Sequence, residues 1–410
     1  MRAHWPVVPA VLCLTFAADL RAAGFLEDSR ATVDFRNLYF DRDFRQPGGS
    51  QATGQSQARE WGQAAVLTLQ SGFTQGVLGL GFDAVAMTGL KLDSSPERAG
   101  TGMFPAERDG SSVGEFSRLG ASVKLKYSNS LVRSGVMAFR KPVLQSADSR
   151  LLPGLFKATT LESSELAGLT LQAARVTQAM GLDSSDWERL SSRYGGRSDA
   201  FTLYGADYAL TDKSQVRAYY GKLDGIYQHM LANYVGRLDF STNRHVSLDL
   251  RWSKAAEVED FRDIDNRAFG ALVGYRQKNQ TLSVGYQKMS GRDAYPYVNG
   301  TDPYLVNFVQ ILQFSNAGER SWQLRYDLDL AAWGVPGLSF MSRYVRGDQV
   351  QLSSGGGGRE WERNSELTYV IQGGPWKNAS VKWRNATVRS TFGNDIDENR
   401  LVISYPLSLF

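Results

Sequence analysis

The last ten residues of this 410-residue chain follow the pattern of a β-strand with one apolar face. Apolar side chains occupy every odd position from 401 to 409, and the chain ends on Phe410. A period of two is the signature of a strand. A chain that ends on such a strand leaves an unpaired edge, and a closed barrel pairs that edge with its own first strand. The ending has two irregular features, because Phe410 is out of step with the odd positions and Pro406 interrupts the other face.

The amino-terminal segment predicts export from the cytoplasm. Arg2 precedes a mainly apolar run over 6–18, which is followed by small residues. This organisation is typical of a secretory signal peptide, so we predict a signal peptide at 1–23 and one barrel domain at 24–410. The single cysteine, Cys13, lies in the segment to be removed. The mature chain is therefore predicted to lack disulfides and thiol chemistry.

Alternating runs recur along the rest of the chain, while no later segment is apolar over the 18 or more residues that a membrane-spanning helix needs. Clear examples are the runs 78–86, 118–127, 246–252 and 322–330, where apolar residues alternate with glycine, polar or charged residues. A soluble β-sandwich alternates in the same way. The signal peptide, the aromatic ending and the cysteine-free mature chain favour a transmembrane barrel instead.

The spacing of the connections predicts the size and polarity of this barrel. About ten residues per strand plus loops predicts strands in the high teens, enough to enclose an aqueous channel. Short turns are predicted at 128–130, 211–213, 277–279 and 334–337. Long loops are predicted at 88–115, 142–165, 181–198, 290–306 and 347–360. One barrel end should therefore carry tight turns and the other long loops.

Basic residues alternate with the apolar positions, so they are predicted to face the lumen. An Arg or Lys facing lipid at mid-depth costs about 2 to 4 kcal/mol, which favours the inward side. The predicted inward bases are Arg30, Arg118, Lys124, Lys126, Arg251, Arg325, Arg343, Lys382, Arg384 and Arg400. They either offer successive sites to a carboxylate or pair with inward acids and hold the wall together. The candidate acidic partners are Asp34, Asp83, Asp249, Asp327 and Asp329.

The sequence offers little for catalysis. Of the three histidines, His4 lies in the predicted signal peptide, and His229 and His245 lie in or beside alternating strands without metal-ligand spacing. No phosphate-binding loop, cysteine pair or paired-carboxylate motif is recognisable. We therefore predict no catalytic residue, metal or cofactor. The basic residues follow barrel alternation instead of forming a surface patch, so no nucleic-acid partner is predicted.

Several segments, in order along the mature chain, resemble one known family. They read SR at 29–30, LYFDRDFR at 38–45, EWGQA at 60–64, LTLQSGFTQG at 67–76, FSRLG at 116–120, PVL at 142–144 followed by DSRLLP at 148–153, ERSW at 319–322, and GVPGL at 334–338 followed by RY at 343–344. In combination they resemble the OprD-type substrate-specific porins of pseudomonads. The resemblance implies an all-β, antiparallel outer-membrane barrel of about 18 strands, with inward-folded constriction loops and a row of lumen bases. It also implies passive transport of small carboxylates, with one branch of the family favouring basic amino acids and the other cyclic or anionic carboxylates.

The resemblance places the main constriction in the 142–165 stretch and the basic row on the last strands. The bases of this row are Arg325, Arg343, Lys382, Arg384 and Arg400, to which Arg118, Lys124, Lys126 and Arg30 are added by alternation. In the constriction loop, Asp148 and Arg150 are predicted to meet polar groups of the solute. Leu151, Leu152 and Phe156 either form an apolar wall for the solute or pin the loop to the barrel. The stretch 290–306 is predicted to face this loop.

These expectations lead to one main functional hypothesis and two alternatives. The main hypothesis is a channel for facilitated diffusion of anionic carboxylates, because predicted lumen bases outnumber lumen acids. The alternatives are the basic-amino-acid branch of the same family and a barrel enzyme or closed structural barrel. We expect a monomer or weak oligomer in the outer membrane of a Gram-negative bacterium, reached through the periplasm. Its expected partners are small carboxylates, outer-membrane lipid and lipopolysaccharide, and the barrel-assembly machinery.

Overall fold

The structure is a computed structural model that describes residues 24–259 and 261–410. The predicted signal peptide at 1–23, with Cys13 and His4, lies outside the described residues. No helix within the described ranges is long and apolar enough to cross a membrane.

Eighteen long antiparallel strands make up the wall within the described part of the chain. They are β1 (Arg30–Phe44), β2 (Gln57–Gln70), β3 (Leu78–Asp93), β4 (Glu115–Tyr127), β5 (Ser130–Met137), β6 (Leu155–Leu166), β7 (Leu169–Met180), β8 (Phe201–Thr211), β9 (Ser214–Leu223), β10 (Tyr227–Ser241), β11 (Arg244–Glu257), β12 (Asp265–Gln277), β13 (Gln280–Ser290), β14 (Arg320–Asp329), β15 (Leu338–Gln351), β16 (Gly357–Val370), β17 (Ser380–Ser390) and β18 (Ile396–Ser408). Each strand pairs with its neighbours in the chain.

The sheet closes on itself between the first and last strands. Residues 396–408 of β18 pair with residues 32–44 of β1, with Val402 opposite Leu38. A closed sheet leaves no exposed edge, which the lipid environment requires. The predicted all-β, 18-stranded transmembrane barrel is therefore confirmed.

The closing strand also explains the two irregular features of the carboxyl terminus. Pro406 lies opposite Asp34 of β1, beyond Ser404, the last β18 residue that pairs with β17. Proline is tolerated there because that side of the strand needs no backbone donor. Phe410 lies after the end of β18, and its carbonyl oxygen accepts a hydrogen bond from the Ala31 amide at 3.3 Å.

The connections have the predicted polarity. The four predicted short turns correspond to the connections 128–129, 212–213, 278–279 and 330–337, all at the end that carries the chain termini. The other end carries long loops, including 94–114, 138–154, 181–200 and 291–319. Barrels of the outer membrane place short turns in the periplasm and long loops outside, so the long loops mark the extracellular end.

Several predicted loop boundaries were wrong in detail. Residues 88–93, predicted as loop, belong to β3. Residues 155–165, predicted as loop, belong to β6, and the predicted 290–306 loop extends to residue 319. The predicted 347–360 loop shortens to 352–356 because β15 and β16 continue into it. Short paired strands at 140–141 with 144–145, and at 188–192 with 195–198, lie inside the long loops.

Alternation correctly identifies the two faces of the wall. On β14, Trp322 is 59% exposed while the adjacent Gln323 is 3% exposed. On β4, Leu119 and Val123 face outward, whereas Arg118 and Lys124 face inward and are buried. The outward apolar band faces lipid, and the inward polar face encloses the space in which the long loops fold.

Candidate functional site

The loop 138–154 folds into the lumen because its leucines pack against the inner wall. Leu151 and Leu152 are fully buried in a cluster with Phe40 and Phe104. Gly62 of β2 makes the approach possible, since a Cβ there would lie 3.0 Å from Leu151. These leucines therefore anchor the loop to the barrel. Because they are fully buried, they do not form an apolar wall for a solute, which was the other alternative.

Phe156 has the same anchoring role but belongs to the wall itself. It is the second residue of β6 and is almost fully buried. Its ring meets that of Phe139 edge to face at 5.8 Å between centroids. Because Phe139 lies in the loop 138–154, this contact fixes the start of the loop, and Phe156 is not exposed to the lumen.

Arg118 is a second anchor of the extracellular loops. Its guanidinium donates to the carbonyl oxygens of Pro153, Gly181 and Leu182 at 2.6 to 2.7 Å. The residue is only 4% exposed. By donating to three carbonyl oxygens, Arg118 holds two loops together. Contrary to the prediction, it does not present an open site to a solute.

Two buried glutamates hold the loop 291–319. Glu362 of β16 accepts the backbone amides of Gln310, Ile311 and Leu312 at 2.6 to 3.2 Å. Glu398 of β18 accepts the side-chain amide of Gln310 at 2.8 Å. Hydrogen bonds to ionised acceptors are stronger than neutral ones. Two strands of the wall, β16 and β18, thus hold the inner tip of this loop in place.

The two inward loops meet as predicted. Ser146 and Thr301 form an isolated bridge, and the Asp302 amide donates to the Gln145 carbonyl oxygen at 2.9 Å. Burial, and next the nearby Asp148 carboxylate, raise the pKa of Asp302 to about 6. Both carboxylates line a cavity of about 450 Å³ between the loops.

A smaller cavity of about 220 Å³ continues below, and all but one of its charged lining residues are bases. Its charged lining residues are Arg36, Asp148, Arg150, Lys382, Arg384 and Arg400. It shares Asp148, Ser149, Arg384 and Arg400 with the cavity between the loops. Below it, a third cavity of about 450 Å³ again includes Arg384. Arg384 lines all three cavities, so they adjoin one another around its side chain, and we call the 220 Å³ cavity the constriction.

The bases of the constriction differ in how far they are neutralised. Arg36 pairs with the Asp148 carboxylate at 2.7 Å, and Asp148 is 46% exposed. Lys382 and Arg384 share one carboxylate, that of Glu366, at 3.3 and 3.1 Å. These two side chains are 39% and 27% exposed, so they keep donors that face the lumen.

Arg400 is held much more tightly. Its Nε donates to Glu398 at 2.7 Å, and Arg42 reaches the same carboxylate at 2.6 Å. Arg400 also donates to the Ser149 carbonyl oxygen at 3.1 Å, which ties β18 to the loop 138–154. Its guanidinium lies over the Phe40 ring, 4.7 Å from the centroid. Arg400 is almost fully buried. Its main role in the constriction is therefore to hold Glu398 and the loop 138–154 in position.

Arg150 is likewise bound within the protein. Its Nε donates to the Thr101 carbonyl oxygen at 2.7 Å, and its guanidinium lies 5.1 Å from the Phe40 ring centroid. Burial, and next the Arg400 charge, lower the pKa of Arg150 to about 9, so it stays protonated at neutral pH. Its partner loop 94–114 is held in turn by Glu60, which accepts the Thr101 amide at 3.0 Å.

On the periplasmic side of the constriction, the predicted basic row continues with two arginines that are bound to neighbouring side chains of the wall. Arg325 and Arg343 are direct cross-strand partners. Arg325 pairs with Asp327 at 2.7 Å, and Arg343 donates to the Asn364 side-chain oxygen at 2.9 Å. Both line the lower cavity.

The remaining predicted bases lie apart from the constriction. Lys124 pairs with Asp83 at 2.6 Å and is buried, and Arg251 pairs with Asp249 at 2.6 Å. Lys126 lies over the Phe73 ring, 5.6 Å from its centroid. Arg30 is exposed at the periplasmic start of β1. Lys124, Arg251 and Arg325 thus pair with predicted inward acids, as the wall-pairing alternative requires, but Arg325 stays 37% exposed in the lower cavity.

Sequence reasoning missed several charged residues of this region. The inward bases Arg36 and Arg42 of β1 share the parity of Phe40, and the exposed Arg140 lies in the constriction loop. The anchoring acids Glu362 and Glu398 also alternate with outward residues, a signal that the sequence does carry.

The described residues contain no group of three or more His, Cys, Asp or Glu side chains placed to hold a metal ion. His229 is buried in β10 against the Tyr295 ring, with 5.0 Å between centroids. His245 lies in β11 near Asp239.

Comparison with known proteins gives one consistent result. The chain matches the model of the OprD family, described as outer membrane porin, over residues 23–409. It is 32% identical to the porin-like protein GalP of Pseudomonas putida, covering 100% of this chain and 99% of GalP. Pseudomonas aeruginosa OccK9 (OpdG) superposes with a TM-score of 0.91 at 41% identity, over 94% of this chain and 100% of that one. The structure of Pseudomonas aeruginosa OpdK with vanillate gives a TM-score of 0.88 at 34% identity, with the same coverage.

Proposed function

This chain belongs to the OprD family of outer membrane porins, and we propose that it carries small carboxylate anions by facilitated diffusion. It is a protein of the Gram-negative outer membrane. The proposed solute would pass the cavity between the two inward loops, the constriction and the lower cavity in turn. The proposal includes no covalent step.

The observation that carries the proposal is the excess of bases around the two upper cavities. Seven bases line the two upper cavities or join their ion pairs: Arg36, Arg42, Arg140, Arg150, Lys382, Arg384 and Arg400. Four carboxylates do so: Asp148, Asp302, Glu366 and Glu398. This imbalance gives the two cavities a positive potential, which favours the entry of an anion.

The arrangement also fits conduction, which needs binding that is easily reversed. Lys382 and Arg384 share one carboxylate and are partly hydrated, so a solute carboxylate would exchange water for their donors at modest gain. Arg343 and Arg325 in the lower cavity would then receive it. Several weak sites in series allow entry and release. The presence of vanillate, an aromatic carboxylate, in the OpdK structure supports the same solute class for this relative.

One observation favours a second candidate, passage of basic amino acids. Asp148 is the most exposed charged side chain in the ion pairs of the constriction, and Asp302 lines the same upper cavity. These two carboxylates would bind an ammonium group. The bases outnumber them, so we expect anion preference to prevail.

The proposal is tested by the double variant K382Q/R384Q. A unit charge about 5 Å away contributes roughly 0.8 kcal/mol in water, so losing two should lower anion permeability by up to about fifteenfold. Reversal potentials in planar bilayers measure the anion-to-cation ratio, and liposome swelling measures uptake of benzoate and of lysine.

The matched control is K278Q/K377Q, which removes two bases from periplasmic turns. We expect this control to keep the permeability ratio of the unsubstituted protein. A K382Q/R384Q ratio equal to that of the control would contradict the proposal. Preference for lysine over benzoate in the unsubstituted protein would support the basic-amino-acid candidate instead.

A further inference from the structure

The outer surface of the barrel carries a row of bases close to its extracellular end. One outward base lies on each of five consecutive strands: Lys254 on β11, Arg267 on β12, Lys288 on β13, Arg320 on β14 and Arg346 on β15. Each lies at an outward-facing position of its strand, near the end of the barrel that bears the long loops. We call these five residues the basic belt.

The register brings bases of the belt directly opposite one another. Lys254 is the cross-strand partner of Arg267, and Lys288 is the partner of Arg320. Like charges directly opposite on one face destabilise a sheet. Two such pairs on neighbouring strands indicate that a counter-anion from outside the chain belongs there.

The carboxylates nearby do not supply this counter-charge. Among the described residues, the belt forms one ion pair, between Arg267 and Asp265 at 3.9 Å. Asp348 lies opposite Arg320 in the register of β15 but forms no ion pair with it. Four of the five bases therefore have no carboxylate partner in the described structure.

Aromatic side chains place the belt at the height of lipid headgroups. On every one of the five strands, an aromatic residue lies two positions further into the membrane on the same face: Trp252, Phe269, Tyr286, Trp322 and Tyr344. The Tyr286 and Trp322 rings pack together at 4.5 Å between centroids. Tyrosine and tryptophan mark the membrane interface in such barrels, so bases just above them lie among the headgroups.

We propose that the basic belt binds the phosphate groups of lipopolysaccharide in the outer leaflet. Guanidinium and ammonium groups suit phosphate oxygens, and a row of bases next to a membrane interface is typical of anionic-lipid recognition. By contrast, the outward face of β1 carries two acids near the same end, Asp41 and Asp43, each paired with an arginine.

The test compares lipid A with its dephosphorylated form, titrated onto the full chain in detergent by microscale thermophoresis. Each base contributes about 1 kcal/mol near an anionic surface, so K288Q/R320Q should bind bisphosphorylated lipid A nearly thirtyfold more weakly, or about 27-fold. The control R175Q/K222Q removes two outward bases that flank Thr202 on β7 and β9, outside the basic belt, and should change the affinity less than twofold.

Dephosphorylated lipid A should bind the unsubstituted protein as weakly as bisphosphorylated lipid A binds K288Q/R320Q. Heat-modifiable migration and unchanged conductance establish that each variant is folded, and K288Q alone, with about a fivefold loss, replaces the double variant if that fails to fold. Equal affinities for the two lipid A forms would overturn the proposal. So would sedimentation data in which K288Q/R320Q dissociates an oligomer without changing lipid A affinity, since the belt would then be a contact between copies of the chain.

Discussion

Replacing Glu398 by Gln should loosen the constriction more than replacing Arg400 by Gln. The Glu398 carboxylate is fully buried and binds Arg42 at 2.6 Å, Arg400 at 2.7 Å and Gln310 at 2.8 Å. Without its charge, two guanidiniums face one another with no counter-charge between them. Removing one partner of a buried ion pair in this way costs about 3 to 5 kcal/mol.

The Arg400→Gln change leaves Glu398 better satisfied. Arg42 and Gln310 still bind the carboxylate, so what disappears is one charged hydrogen-bond partner, worth about 1.5 to 3 kcal/mol. The matched control is Glu366→Gln, which also removes a carboxylate shared by two bases. Glu366 is partly exposed, so its loss should cost about 1 kcal/mol or less.

Urea unfolding in lipid vesicles, followed by heat-modifiable migration, measures the free energy of unfolding of all three variants. We expect the loss to rise from E366Q to R400Q to E398Q, and E398Q/R400Q to lose less than the sum of the single changes. Single-channel recordings of E398Q should show greater current noise, because Gln310 then loses a charged acceptor. Equal losses for E366Q and E398Q would refute the reasoning that burial of this carboxylate governs its contribution.

Three further changes test the lumen. Since Asp302 has a pKa raised to about 6, it gains a proton between pH 7 and pH 5, and anion preference in reversal potentials should rise over this window; D302N should show no such rise. Leu151→Ala removes a fully buried anchor, should cost about 2 to 5 kcal/mol and should raise single-channel conductance, while Leu409→Ala at an exposed position should do neither. Asp148→Asn breaks a half-exposed ion pair, so it should change stability by less than about 1 kcal/mol and increase anion permeability; increased cation preference would contradict this.

The sequence predicted which face of each strand turns inward, because a lipid-facing apolar residue every second position is a requirement of the environment. Trp322 and Leu324 face outward, and Gln323 and Arg325 face inward, as alternation predicts. Boundaries were harder to predict. β6 begins with two apolar residues in succession, Leu155 and Phe156, which are both buried. The alternation of apolar and polar residues that marks a strand is therefore missing at this point.

Alternation could not predict how the inward side chains pair. Arg118 and Arg384 have the same parity, yet Arg118 binds loop carbonyls and Arg384 faces the lumen. The difference arises because extracellular loops fold over one and not over the other. Loop packing depends on contacts between residues more than 100 positions apart, such as Arg36 with Asp148, and no local pattern encodes such contacts.

The carboxylates of the wall determine which bases remain available to a solute. Glu398 and Glu362 accept hydrogen bonds from the loop 291–319. The bases that share Glu398 are consequently held in place and mostly buried. Glu366 has no such loop contact among the described residues, so its partners Lys382 and Arg384 keep their exposure. On β17 and β18, the base whose acid also binds a loop is thus buried, and the two bases whose acid does not bind a loop stay open to the lumen. By this criterion, selectivity should depend on Lys382 and Arg384 more than on Arg400, although all three face inward from the last two strands.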